Sequence, residues 1–203
     1  MLKIETIYHH LLFEALKNKK YQHTQQNIAN IYKFSLSTVN HALNIPTKIG
    51  AIQKTSKFFI LADFQKLLYY WASKRNFEKD IIFKTHLDYP IYKIESIAPN
   101  KSIYACYSSA VKILGSAPAD YSQVYFYLPQ NELEQFLKRL PPTDNKNKTQ
   151  PNLFILKSNK YIQKYGLITT LPQTFVDIWN LTHWYSKDFI KSLNQKIENA
   201  LLP

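Results

Sequence analysis

A single cysteine, Cys106, occurs in the 203 residues of this chain. One thiol cannot close a disulfide within the chain, and it leaves no Cys-type zinc site for one chain to build. The six histidines are scattered. The one adjacent pair, His9-His10, projects to two faces of a predicted helix, so neither a structural metal nor a cofactor is expected. Long apolar runs are also missing: none approaches the roughly 18–20 residues needed to cross a bilayer as a helix. The amino-terminal stretch holds Glu5 and the two histidines inside its apolar run and does not read as a secretory signal. The expected location is cytoplasmic. There is no internal repeat and no low-complexity tract. Carboxylates are the last scarcity: 14 Asp and Glu stand against 26 Lys and Arg, a formal net charge of +12.

A basic chain favours a polyanionic partner, nucleic acid or an anionic membrane surface, although lysines also serve simply to keep a surface soluble. The excess is denser at the front, where residues 1–80 carry 12 basic and 5 acidic side chains against 14 and 9 in residues 81–203. The composition is 45% hydrophobic and 15% aromatic, enough to build a core in one large or two small domains.

Residues 5–18 place Ile7, Leu11, Leu12, Ala15 and Leu16 at helical spacing. Thr24 is the cap expected for a short second helix over 25–32, and Ser35 the cap for a third. The third is expected to stop near Asn44, because the residue before Pro46 resists the helical region. The segments 51–54 and 57–62 flank Thr55-Ser56 as two short strands around a polar turn. Asp63 caps a fourth helix, with Phe64, Leu67, Leu68 and Trp71 on its apolar side.

Past residue 80 the pattern changes. Strands are predicted at 81–83, 124–128 and 152–158, with a further one over 167–170. A strand running into a helix that stops at Gly115 is expected over 103–115, and residues 90–98 are ambiguous. An amphipathic helix is predicted over 130–140, a polar loop over 143–150, a helix opened by Pro172, and a terminal helix after it. The expectation is therefore an α+β chain: a winged helix-turn-helix at 1–75, then an α/β effector or partner domain at 80–203 with a small central sheet.

The helix-turn-helix signal is a spacing rule with a physical cause. Two steeply crossed helices need a small residue where they touch and apolar residues at fixed offsets to hold the angle. Ala29 is the small residue, and Ile28, Tyr32, Phe34, Val39 and Ala42 occupy the apolar offsets. The turn position four residues after Ala29, usually glycine, is Lys33. The third helix would be the recognition element, with Ser35, Ser37, Thr38, Asn40 and His41 toward solvent. Such short polar groups suit the major groove, and Asn can bond adenine with both ends of its amide. Gln25 and Gln26 begin the second helix, where free N–H groups favour a phosphate. Lys33, Lys48, Lys54 and Lys57 surround the same surface, the last two bracketing the tip of the hairpin. The chemistry implied is binding of double-stranded DNA rather than catalysis, with a homodimer expected because paired half-sites suit such regulators.

The run from SLSTVNHALNIP through FQKLLYYWASKR is similar to winged-helix regulators of the MarR-like type. With LPQTFVDIWNL near the C-terminus and ADYSQVYFYLP before it, most of the chain resembles transcriptional regulators related to the AbiEi antitoxins of type IV toxin–antitoxin systems. That resemblance implies an amino-terminal DNA-binding domain that represses its own operon. It also implies a carboxy-terminal domain that neutralises a nucleotidyltransferase toxin, a possible protein partner.

An alternative for the second domain is a metal-dependent nuclease related to restriction enzymes. That chemistry needs a carboxylate and then an acid two residues before a lysine on the next strand. Asp120, Asp88, Glu95 and Lys157 are present, but no acid precedes Lys157 in that way. Asp177, Trp179, His183 and Trp184 cluster in sequence. Asp177 and Trp179 fall on opposite sides of their helix, and the two tryptophans read as core or interface anchors. Tyr121, Tyr125 and Tyr127 alternate, which reads as a strand face packed on a helix.

Overall fold

The computed structural model of the chain describes residues 1–141 and 150–202. It is α+β, with two small sheets, and it divides into two compact units. One unit comprises Met1–Arg75 with the described residues from Lys196 onward, and the other Asn76–Gln195. The tail after Lys196, assigned from sequence to the second domain, thus groups with the first.

In the first unit the order is α1 (Lys3–Asn18), β1 (Gln22–His23), α2 (Gln25–Tyr32), α3 (Leu36–Lys48), β2 (Ile52–Lys54), β3 (Phe59–Leu61) and α4 (Phe64–Lys74). The strands form an antiparallel sheet in the order β1-β3-β2. Thr24, Ser35 and Asp63 each cap a helix: their side-chain oxygens accept from the backbone N–H groups of Asn27, Thr38 and Lys66 at 3.1, 3.1 and 2.9 Å. Each cap satisfies a donor that the helix cannot, a contribution of about 1 kcal/mol.

The core is built from Ile7, Leu11 and Leu12 of α1, Ile28 and Ala29 of α2, Val39 and Leu43 of α3, and Leu67, Leu68 and Trp71 of α4. The amphipathic reading of α1 is too narrow. Thr6, His9 and His10 are buried as well, so α1 is enclosed around most of its circumference in its first three turns. The two histidines do leave the helix in different directions, but both meet protein. His9 packs on Trp71, with ring centroids 5.8 Å apart. His10 meets Tyr32 and His23 at 5.4 and 5.7 Å. Burial lowers the pKa of both, to about 3 for His9 and about 4 for His10.

Helix α3 does not stop before Pro46. It continues to Lys48 with the proline inside it. An internal proline removes the N–H that would bond the carbonyl four residues earlier, here that of Ala42. The Tyr8 hydroxyl from α1 donates to that carbonyl at 2.8 Å in a buried position. A side chain far away in sequence replaces the missing bond, so the local rule is overridden. Lysine stands at the turn between α2 and α3. Lys33 adopts the left-handed region (φ 54°, ψ 44°) and closes α2 by donating its N–H to the Ala29 carbonyl. In this region lysine bears a steric cost that glycine would avoid.

The second unit holds β4 (Ile81–Thr85), α5 (Ile91–Ser96), β5 (Ile103–Ala105), α6 (Cys106–Leu114), β6 (Val124–Leu128), α7 (Leu133–Leu137), β7 (Leu153–Lys157), α8 (Leu171–Trp179) and most of α9 (Ser186–Leu201). Its sheet runs β4-β7-β6-β5, with the central β6–β7 pair parallel and both outer pairs antiparallel. Val124, Phe126, Leu128, Leu153 and Ile155 pack on one face against Ile94 and Phe136. Tyr125 and Tyr127 point to the other face, where Tyr125 meets Tyr107 of α6 and the Tyr127 hydroxyl donates to Asp177 of α8 at 2.8 Å.

The helix expected over 130–140 is a 3-10 turn at Gln130–Glu132 followed by the short α7. The strand at 167–170 is a single bridge, Ile168 to Tyr104. Tyr121 precedes β6 rather than lying on it. Trp179 and Trp184 are not core residues; they are 47% and 73% exposed, while Asp177 is fully buried. The polar loop expected over 143–150 lies, apart from Gln150, outside the described residues.

Candidate nucleic-acid interface

The site proposed from sequence lies wholly in the first unit. Helix α3 buries Val39, Ala42, Leu43 and Pro46. That inward stripe leaves Ser35, Leu36, Ser37, Asn40, His41, Asn44, Ile45 and Lys48 exposed on the other side. The outward stripe follows from a 3.6-residue period with its apolar positions directed inward. Next in the chain, β2 and β3 form a hairpin whose turn is held by the Thr55 side chain. Its hydroxyl donates to the Phe58 carbonyl at 2.9 Å and accepts from the Phe58 N–H at 3.1 Å. Lys57 is exposed in that turn, and Lys54 is half-buried at the end of β2.

Helix and hairpin are joined by a side-chain contact. The Lys54 ammonium donates to the Asn40 carboxamide oxygen at 3.0 Å. Two residues singled out separately in the sequence are therefore direct neighbours. Others have local duties. Ser35 and Thr38 bond one another at 2.9 Å while Ser35 caps the helix, so part of their hydrogen-bonding capacity is spent on the chain itself. Gln26 donates to Asn30 on α2 at 2.9 Å. Gln25 is half-buried at the start of α2, and Lys33 is exposed in the turn between α2 and α3. Lys48 lies at the far end of α3, about 18 Å along the axis from Leu36.

No family model, curated protein or solved structure matches this chain.

The electrostatics of the segment come from its composition. Residues 15–62 contain seven lysines and no Asp or Glu. The whole helix–turn–helix–hairpin stretch thus offers cations with no carboxylate of its own to neutralise them. A windowed count of acids alone would have found this signal. Sequence reasoning also passed over Leu36 and Ile45, which are 49% and 43% exposed on the outer side of α3. The rule that apolar residues belong in the core hides such positions; helical phase reveals them. The unit's one arginine, Arg75, is absent from this surface. It pairs with Glu5 at 3.0 Å, both side chains almost wholly buried.

Among the described residues no group of three or more His, Cys, Asp or Glu is placed to hold a metal ion. No described helix is long and apolar enough to cross a membrane.

Proposed function

We propose that the first unit is a winged helix-turn-helix that binds double-stranded DNA, and that the chain is a sequence-specific transcriptional regulator acting as a repressor. The observation that carries this reading is the exposed polar stripe of α3 tied through Asn40 and Lys54 to a lysine-bearing hairpin, in a stretch without carboxylates. A helix fits the major groove and a hairpin beside it can follow the backbone or the minor groove. Lys33, Lys48, Lys54 and Lys57 neutralise phosphates, and the short polar groups of α3 meet base edges.

Selection of bound fragments from genomic DNA by the full-length protein, followed by affinity measurements at several salt concentrations, tests the reading. Four phosphate contacts predict a slope of log K against log salt of about −3.6. Enrichment of no fragment, or affinity independent of salt, would refute it.

A second reading concerns the second unit. Trp179 and Trp184 are exposed in and just after the segment that carries the antitoxin resemblance. Exposed tryptophans are strong anchors for protein partners. The antitoxin-like reading has this unit bind a protein toxin. Co-expression with the product of the adjacent gene tests it: Trp184→Ala should abolish co-purification, and failure of the unaltered chain to co-purify would refute it.

A further inference from the structure

We infer, building on the DNA-binding reading above, that α3 reads a core of A·T pairs, with Asn40 and Leu36 as specificity-determining residues and Lys54 as a positioning residue. Guanine is most often recognised by an Arg or Lys that donates to both O6 and N7. The chain has two arginines. Arg75 is buried against Glu5, and Arg139 belongs to the other unit. Along the first three turns of α3 the outward residues are Leu36, Ser37, Asn40, His41, Asn44 and Ile45, with no lysine among them until Lys48.

The groups that are present match adenine and thymine. A carboxamide donates to adenine N7 and accepts from its N6 amino group, and apolar side chains pack on the thymine methyl. Leu36 is 49% exposed, and at four residues before Asn40 it shares that residue's face of the helix. Lys54 settles how the Asn40 amide points. An ammonium can only donate, so the carboxamide oxygen is the end turned toward Lys54 at 3.0 Å. That oxygen keeps a second lone pair for the adenine amino group, and the amide nitrogen keeps its donors for N7. The contact from the hairpin therefore orients the base reader before DNA arrives. From Leu36 to Asn44 the helix advances about 12 Å, enough to span three to four base pairs at about 3.4 Å each.

The test uses the full-length chain, a site selected from a random duplex library, and fluorescence anisotropy. The selected core should be three to four consecutive A·T pairs. Replacing one of them by G·C should weaken binding about tenfold or more. Asn40→Ala should reduce that discrimination to less than about threefold while retaining salt-dependent binding to any duplex. Replacing thymine by uracil deletes only the methyl group; it should weaken the unaltered protein and leave Leu36→Ala indifferent. Lys54→Ala should lose discrimination at the adenine read by Asn40, and Lys54→Arg should restore it, a rescue that a purely phosphate-binding role would not show at that one position. A selected core of G·C pairs, with binding intact, would overturn the inference and leave the DNA-binding reading standing. Failure to bind any duplex would overturn both.

Discussion

Acidification from pH 6.5 to 5 should destabilise the first unit by about 3 kcal/mol. The cause is the pair of histidines buried in α1. His9 is held neutral by burial, reinforced by His10, with its pKa lowered to about 3. His10 is lowered to about 4, again chiefly by burial, opposed by Glu14 and reinforced by His23 and Lys20. In the unfolded chain both return to about 6.5. Between the folded and unfolded values the unfolded state binds protons that the folded state does not. The stability is therefore fully present above pH 6.5 and is lost as the pH falls. Over these 1.5 pH units each histidine contributes about 1.6 kcal/mol, since the unfolded imidazole is half protonated at pH 6.5 and pH 5 still lies above both folded values. His23, also lowered by burial, adds in the same direction. A loss of this size is a large share of the 5–15 kcal/mol typical of a domain. Urea titrations at pH 7, 6 and 5, followed through the NMR amide signals of α1 and α3 in the full-length protein, would measure it. A His9→Gln, His10→Gln double variant should show a much flatter dependence, whatever its absolute stability. A urea midpoint unchanged or rising toward pH 5, or an imidazole of His9 titrating near 6.5, would refute the reasoning.

Three further perturbations follow from the same unit. Tyr8→Phe removes the donor to the Ala42 carbonyl and should cost about 1–2 kcal/mol; in a Pro46→Ala background, where residue 46 regains its N–H, denaturant melts should show that cost falling by half or more. Glu5→Ala removes the buried carboxylate that pairs with the Arg75 guanidinium, and chemical denaturation should report a loss of about 3–5 kcal/mol. Lys33→Gly relieves a left-handed lysine and should raise stability by about 1 kcal/mol, visible as an upward shift in Tm; a downward shift would mean that the turn bears no steric cost.

What could be read from the sequence was what local chemistry decides. The caps Thr24, Ser35 and Asp63 mark the helix starts because a side-chain oxygen beside orphan N–H groups has few other uses. The strand at 124–128 was legible from its continuous apolar run, and the stop at Gly115 from a left-handed glycine, φ 88°. What escaped is set by contacts distant in sequence. The persistence of α3 past Pro46 depends on Tyr8, 34 residues earlier than Ala42. Strand β1, only Gln22–His23, has no period to detect and exists because β3 offers it partners. In the candidate site, the outward polar residues Ser35, Ser37, Asn40 and His41 followed from helical phase, whereas the rule that apolar residues belong in the core hid Leu36 and Ile45 on the same side. The bond between Asn40 and Lys54 did not follow from phase, because it requires the hairpin to fold back beside the helix.

The most direct measurement is an NMR titration of the isotope-labelled full-length protein with its selected duplex. Amide shifts should concentrate between residues 35 and 44 and across the hairpin at 53–58. Shifts confined to the second unit, or none on α3, would contradict the DNA-binding reading.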